Sequence, residues 1–266
     1  MTRTIAVVNQ KGGVGKTTTA VNLAAALSET GRRVLLIDMD PQGNATMASG
    51  VDKREAQPSG CEVLLGEVEA KAAIKATPGK FDLLPSNTDL IAAEMQLMDL
   101  PERERRLKSA LEPIKREYQY IIIDCPPSLS LLTLNALAAA DSVLVPMQCE
   151  YFALEGIAAL TDTMDAVKRR LNPNLEIEGI VRTMYDLRNN LANAVSAELT
   201  RHFGDKVYRT VIPRNVRLAE APSHGQSIIE YDRGSRGGVA YLGLAGEIIG
   251  RERQHAGAPQ RAGATH

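Results

Sequence analysis

The chain has 266 residues, 44% of them apolar, and its 31 Lys and Arg almost balance 32 Asp and Glu. That length and composition suit one soluble α/β domain, expected over residues 1–253. They exclude a membrane span, because charges interrupt every apolar stretch well before the roughly 18 to 20 residues a bilayer needs, and no signal-peptide core opens the chain. Cys61, Cys125 and Cys149 are odd in number and lack C-x-x-C spacing, which argues against a disulfide framework or a structural zinc site and for a reducing cytoplasm.

Residues 4–9 are a short β-rich apolar run, followed by a glycine loop and by residues 17–27, where Ala20, Leu23, Ala24 and Leu27 recur at helical spacing. Gly31 stops that helix, and residues 33–38 form a second strand whose unbroken apolar core suits a sheet covered on both faces. Further strands are predicted at 81–84, 120–124, 142–146, 177–183 and 206–212, with helical or loop segments between most of them. The expected fold is a doubly wound, mostly parallel α/β sheet. Residues 52–80 mix turn formers with Ala-rich stretches and stay open. Residues 254–266 lack an apolar period and read as a disordered tail. No repeat of 20 to 50 residues is present.

Lys11-Gly-Gly-Val-Gly-Lys-Thr17 lies between the first strand and the first helix, where backbone N–H groups and a helix N-terminus converge on an anion. Glycines let the backbone wrap phosphates, Lys16 supplies a point charge to the β and γ groups, and the Thr17 hydroxyl is placed to ligate magnesium. Asp38, Asp40 and Asp124 end predicted strands at the carboxyl edge of the sheet, where ligands of α/β proteins sit. Carboxylates there can hold magnesium-bound waters or orient an attacking water. His202 and His224 have no Cys or His at ligand spacing, and Cys125 reads as a small buried strand-end residue.

The phosphate loop departs from the general form, with Gln10 at the first glycine position and a second lysine, Lys11, beside it. In this it resembles the deviant Walker A motif of the ParA/MinD ATPase superfamily. The resemblance covers residues 3–250 and is closest to the short ParA/Soj group, on residues 9–19, 38–46, 124–137, 148–156 and 211–227. It implies an ATP hydrolase with ATP and Mg2+. Lys11, Gly12, Gly13, Val14, Gly15, Lys16, Thr17 and Thr18 would bind nucleotide, with Lys11 reaching a partner's phosphates across a dimer. Asp40 would orient the hydrolytic water, Asp124 would be the Walker B carboxylate, and Asp38 would support the metal shell. Pro213 and Asn215 would contact adenine, Pro126-Pro127-Ser128 would sense the γ-phosphate, and residues 148–155 would join the dimer face. The helix-turn-helix extension of longer plasmid-type members is not expected here, nor is operator-specific repression.

Charge is unevenly spread: residues 38–104 hold 13 acidic and 6 basic side chains, and residues 168–217 hold 5 and 10. By resemblance, Arg188, Arg214 and Arg217 in the basic third hold DNA phosphates nonspecifically in an ATP-dependent homodimer, with Lys168, Arg169, Arg170 and Lys206 as further candidates. A ParB-type centromere-binding protein is the implied partner, its basic N-terminal peptide stimulating hydrolysis, and the cytoplasmic nucleoid is the expected location. The alternative is a MinD-like membrane-positioning ATPase, which needs a C-terminal amphipathic helix that residues 251–266 lack. A small-molecule ligase and an iron–sulfur reductase are the remaining relatives, the latter needing paired cysteines.

Overall fold

The computed structural model describes residues 2–257. Its elements, in chain order, are β1 Arg3–Val7, α1 Lys16–Ser28, β2 Val34–Asp38, α2 Asn44–Ala48, α3 Gly60–Leu65, α4 Ala70–Ala73, β3 Lys75–Ala76, β4 Asp82–Leu84, α5 Asp89–Leu97, α6 Arg106–Leu111, β5 Tyr120–Asp124, α7 Leu131–Ala139, β6 Ser142–Gln148, α8 Ala153–Arg170, β7 Glu176–Tyr185, α9 Asn190–Phe203, β8 Val207–Pro213, α10 Val216–Glu220, α11 Ile228–Asp232 and α12 Arg236–Gly257.

The strands form one eight-stranded sheet in the order β3-β4-β2-β5-β1-β6-β7-β8, parallel throughout except for the two-residue edge strand β3. Every strand expected from the sequence is present. The unbroken apolar runs have the predicted cause, because alternate side chains enter opposite cores. Ala6, Leu35, Ile37, Ile121 and Ile123 pack on one face. Ile5, Val7, Leu36 and Ile122 pack on the other, beneath α1 and α12. Residues of α1 are buried almost all round, since the helix lies between sheet and α12, and its Thr19 hydroxyl meets the Tyr241 phenol at 3.1 Å.

Residues 52–80 resolve into two short helices and the edge strand. Ser59 and Glu62 form a reciprocal capping box that starts α3. At the other end of the chain, α12 runs on to Gly257, so residues 254–257 of the expected tail are helical rather than disordered. The remainder of that expected tail, 258–266, lies outside the described residues. Among the described residues no helix is long and apolar enough to cross a membrane.

Candidate nucleotide site

The carboxyl ends of the three central strands meet in register. Val7 of β1 and Asp38 of β2 both lie opposite Asp124 of β5. Three chain segments therefore leave the sheet side by side: the phosphate loop after β1, the loop carrying Asp40 after β2, and residues 125–130 after β5.

The phosphate loop is held from its base and left open above. Asn9 donates from Nδ2 to the Pro146 carbonyl at 2.8 Å and accepts at Oδ1 from the Lys11 N–H at 2.9 Å. Gly13 and Gly15 adopt φ of +74° and +86°, which a side chain would strain. A Cβ at Gly12 or Gly13 would meet nothing within 4 Å, so the space above the loop is open to a phosphate. Gly15 is the N-cap of α1 and no side chain bonds the first N–H groups, leaving the helix N-terminus available to an anion. Lys16 is buried and donates to the Lys11 carbonyl at 3.1 Å. Burial lowers its pKa from the usual lysine range, opposed first by Asp124 and then by Asp40.

Asp124 is fully buried, and neither of its carboxylate oxygens has a hydrogen-bond partner of normal geometry. Burial pushes its pKa well above the carboxylate range, Asp38 adds to the rise, and Thr17 and Lys16 oppose it. An unsatisfied buried carboxylate costs free energy unless a cation meets it. Thr17 and Asp124 thus fit a magnesium ion that completes its shell with phosphate oxygens and waters, as this ion does at phosphate sites. Among the described residues no group of three or more His, Cys, Asp or Glu is arranged to hold a metal.

Asp38, expected to support the metal shell, bonds the loop that follows it. Its Oδ2 accepts from the Thr46 N–H and hydroxyl, both at 2.8 Å, and its Oδ1 accepts from the Asp40 N–H at 3.1 Å. Burial first, then Asp40, raises its pKa to about 6 against those three hydrogen bonds. These contacts hold the loop behind the metal position. Asp40 is half-buried, with Oδ1 accepting from the Gln42 N–H at 2.9 Å and its carbonyl accepting from the Ser86 hydroxyl at 2.7 Å. The backbone around Asp40 is therefore fixed from both sides.

Two contacts at the site had no signal in the sequence. Thr183, near the end of β7, donates its hydroxyl to the Val14 carbonyl at 2.8 Å and packs beside Gly15. Glu150, within the segment expected at a dimer face, forms an ion pair with Lys11, both side chains being 52% exposed. Tyr151 and Phe152 follow it and are exposed.

Cys125 is buried, as expected, and burial raises its thiol pKa well above the usual range. Pro213 ends β8 opposite Tyr185, and Asn215 caps α10 by accepting from the Leu218 N–H at 3.3 Å. The basic residues divide between the two edges of the sheet. Arg188 and Arg214 follow the carboxyl ends of β7 and β8, and Arg217 lies in α10 just beyond. Lys168, Arg169 and Arg170 end α8, and Lys206 precedes β8, so these four lie toward the amino edge. Arg188 pairs with Asp186, and Arg217 with Glu220 and Asp232, whereas Arg214 has no ion-pair partner among the described residues.

An AAA-domain family model matches residues 2–177. The sporulation initiation inhibitor protein Soj of Bacillus subtilis is 53% identical over 93% of this chain and 98% of its own. The chromosome partitioning protein ParA of Caulobacter vibrioides is 51% identical over 94% of this chain and 95% of its own. A solved structure of cobyrinic acid a,c-diamide synthase from Mycobacterium smegmatis, with bound ATP analogue and magnesium, shares 40% identity and a TM-score of 0.84. That match covers 96% of this chain and 97% of that one.

Proposed function

This chain belongs to the ParA/Soj family of ATPases and is an ATP hydrolase using Mg2+, and on that premise we propose that it is a DNA-partition switch. In this reading, ATP closes a sandwich dimer, the dimer holds duplex DNA without sequence preference, and hydrolysis releases it. The observation that carries the proposal is the pair Lys11 and Glu150. Lys11 belongs to the phosphate loop yet points its charge at an exposed carboxylate of its own chain, where exchange for a partner's phosphate costs little.

Each residue then has a task. Backbone N–H groups of the loop and the start of α1 bind the phosphates, and Lys16 compensates their charge. Thr17 and Asp124 would hold the metal, which when bound would supply positive charge against that of the phosphates. Asp40 orients water toward the γ-phosphate, and Asp38 keeps the Asp40 loop in place. Pro213 and Asn215 line the base. Residues 126–128, one step from Asp124, relay the presence of the γ-phosphate to the dimer face.

Arg188, Arg214 and Arg217 meet DNA phosphates near one corner of the sheet, and a dimer doubles their number, which makes binding depend on ATP. The surface ion pairs of Arg188 and Arg217 are weak enough to be exchanged for phosphate. A ParB-type centromere-binding protein is the partner that speeds hydrolysis.

Binding to random-sequence duplex should appear with ATP, vanish with ADP, and weaken steeply with salt. It should persist in Asp40→Ala and fail in Lys16→Ala, and Arg188→Ala should weaken it. Binding indifferent to nucleotide contradicts the switch. A synthase of the kind named for the Mycobacterium smegmatis structure would turn ATP over only with an acid substrate, so hydrolysis in its absence separates the two readings.

A further inference from the structure

Thr183 touches the phosphate loop on its backbone rather than on a charged group. It is 3% exposed, its hydroxyl donates to the Val14 carbonyl at 2.8 Å, and its Cβ and methyl group stand beside Gly15. Val14 is 1% exposed, and a carbonyl so buried needs a partner that water does not supply.

The surroundings fix Thr183 closely. The pairing of β6 with β7 sets it opposite Gln148. The next residue, Met184, holds a left-handed φ of +48°, which a non-glycine residue keeps only where the neighbouring structure imposes it. Gln148 donates from Nε2 to Met184 Sδ at 3.0 Å and so ties the two strand ends together, just before Glu150 takes Lys11.

A trans peptide turns its carbonyl and the following N–H to opposite sides. Val14-Gly15 is trans, the one cis bond among the described residues being Gln57-Pro58. A Val14 carbonyl pinned to Thr183 therefore sends the Gly15 N–H away from β7. That N–H has no protein acceptor among the described residues, and Gly15 is the N-cap of α1, where unpaired N–H groups and the helix dipole favour an anion. Glycine at φ +86° does little to fix this peptide by itself, so an outside contact has to set its plane.

Given the phosphate-binding role proposed for the loop above, we infer that Thr183 is a positioning residue for the nucleotide. Its hydroxyl sets the Val14-Gly15 peptide so that the Gly15 N–H is aimed at the phosphate chain before nucleotide arrives. A donor held in place costs less ordering on binding than one that must turn. It meets the phosphates in the ground state and the transition state alike, so its loss belongs in KM rather than in kcat.

The test is calorimetric binding of Mg·ATP and Mg·ADP, with steady-state hydrolysis, by the full chain and by Thr183→Val, Thr183→Ser and Lys16→Ala. Thr183→Val nearly keeps the shape and removes the donor. It should raise the Kd for both nucleotides and the KM for ATP about tenfold, with kcat within about twofold of wild type. Thr183→Ser retains the hydroxyl and should bring affinity back to within about twofold. Should the valine variant fail to fold, Thr183→Cys, whose thiol is a weak donor, should show the same loss. Wild-type affinity in the variant without the hydroxyl, a serine variant as weak as that one, or a fall in kcat with KM unchanged overturns the role. Wild-type nucleotide binding by Lys16→Ala would instead fault the reading of the loop itself, whatever Thr183 does.

Discussion

In the proposed reading Asp40 and Lys16 serve the same phosphates, yet their loss should be felt at different steps. Asp40→Ala should retain ATP binding by calorimetry while phosphate release falls by about two orders of magnitude or more, because water loses its orienting group. Lys16→Ala should lose binding itself. Glu150→Gln frees Lys11 from an exposed ion pair worth about 0–1 kcal/mol, and because the dimer exchanges two such pairs, ATP-driven dimerisation should strengthen by no more than about thirtyfold. The local motifs were readable because the phosphate loop and the aspartate-bearing strand ends place their chemistry within a few residues of a glycine or a strand terminus. Thr183 and Glu150 were not, since they meet the loop from 169 and 139 residues away in the chain. The bonds of Asp38 to Thr46 and to the Asp40 N–H were not legible, because a strand-end carboxylate gives no sign of which N–H groups its own loop will turn toward it.

Elements are fixed by contacts that a single substitution can break. Gly179 in β7 leaves room for the Tyr208 ring, and a Cβ there would also stand 2.8 Å from the Lys206 carbonyl. Gly179→Ala should destabilise the chain by about 1–3 kcal/mol in urea unfolding, loosening the β7–β8 edge. The seam between α12 and β8 depends on Glu247, which accepts from the Arg209 and Thr210 N–H groups at 2.9 and 3.0 Å and pairs with Arg251. Burial raises the Glu247 pKa, but the hydrogen bonds from Thr210 and Arg209 together outweigh it and the net shift is downward. The stabilisation is therefore complete above the ordinary glutamate value and is lost as pH falls through the depressed one. Glu247→Gln should cost on the order of 2 kcal/mol at neutral pH, and the gap to wild type should close as unfolding is followed down to about pH 3. Strand existence was legible from apolar runs, while strand β3 escaped because two residues carry no period. The start of α3 was legible in principle from Ser59 and Glu62 at capping-box spacing. Continuation of α12 past residue 253 was not, because residues 254–257 add only Ala256, too little to extend the apolar period.

Across the whole molecule, charge follows the sheet. The acidic stretch lies with the β4 side and α5, and the arginines assigned to DNA lie beyond the carboxyl ends of β7 and β8 at the opposite edge. In the proposed reading the arginines that meet DNA thus lie away from the acidic stretch, with the nucleotide between them at the central strands. What joins these surfaces in the account is dimerisation, because one chain offers DNA only a few cations and its Lys11 is held by its own Glu150. Sedimentation velocity with Mg·ATP tests this most directly, using Asp40→Ala to prevent turnover and Asp40→Ala with Lys11→Ala to remove the crossing lysine. The account predicts a dimer for the first and a monomer for the second, with both monomeric in ADP. A dimer that forms equally well without Lys11, or an Asp40→Ala chain that stays monomeric in ATP, would contradict it.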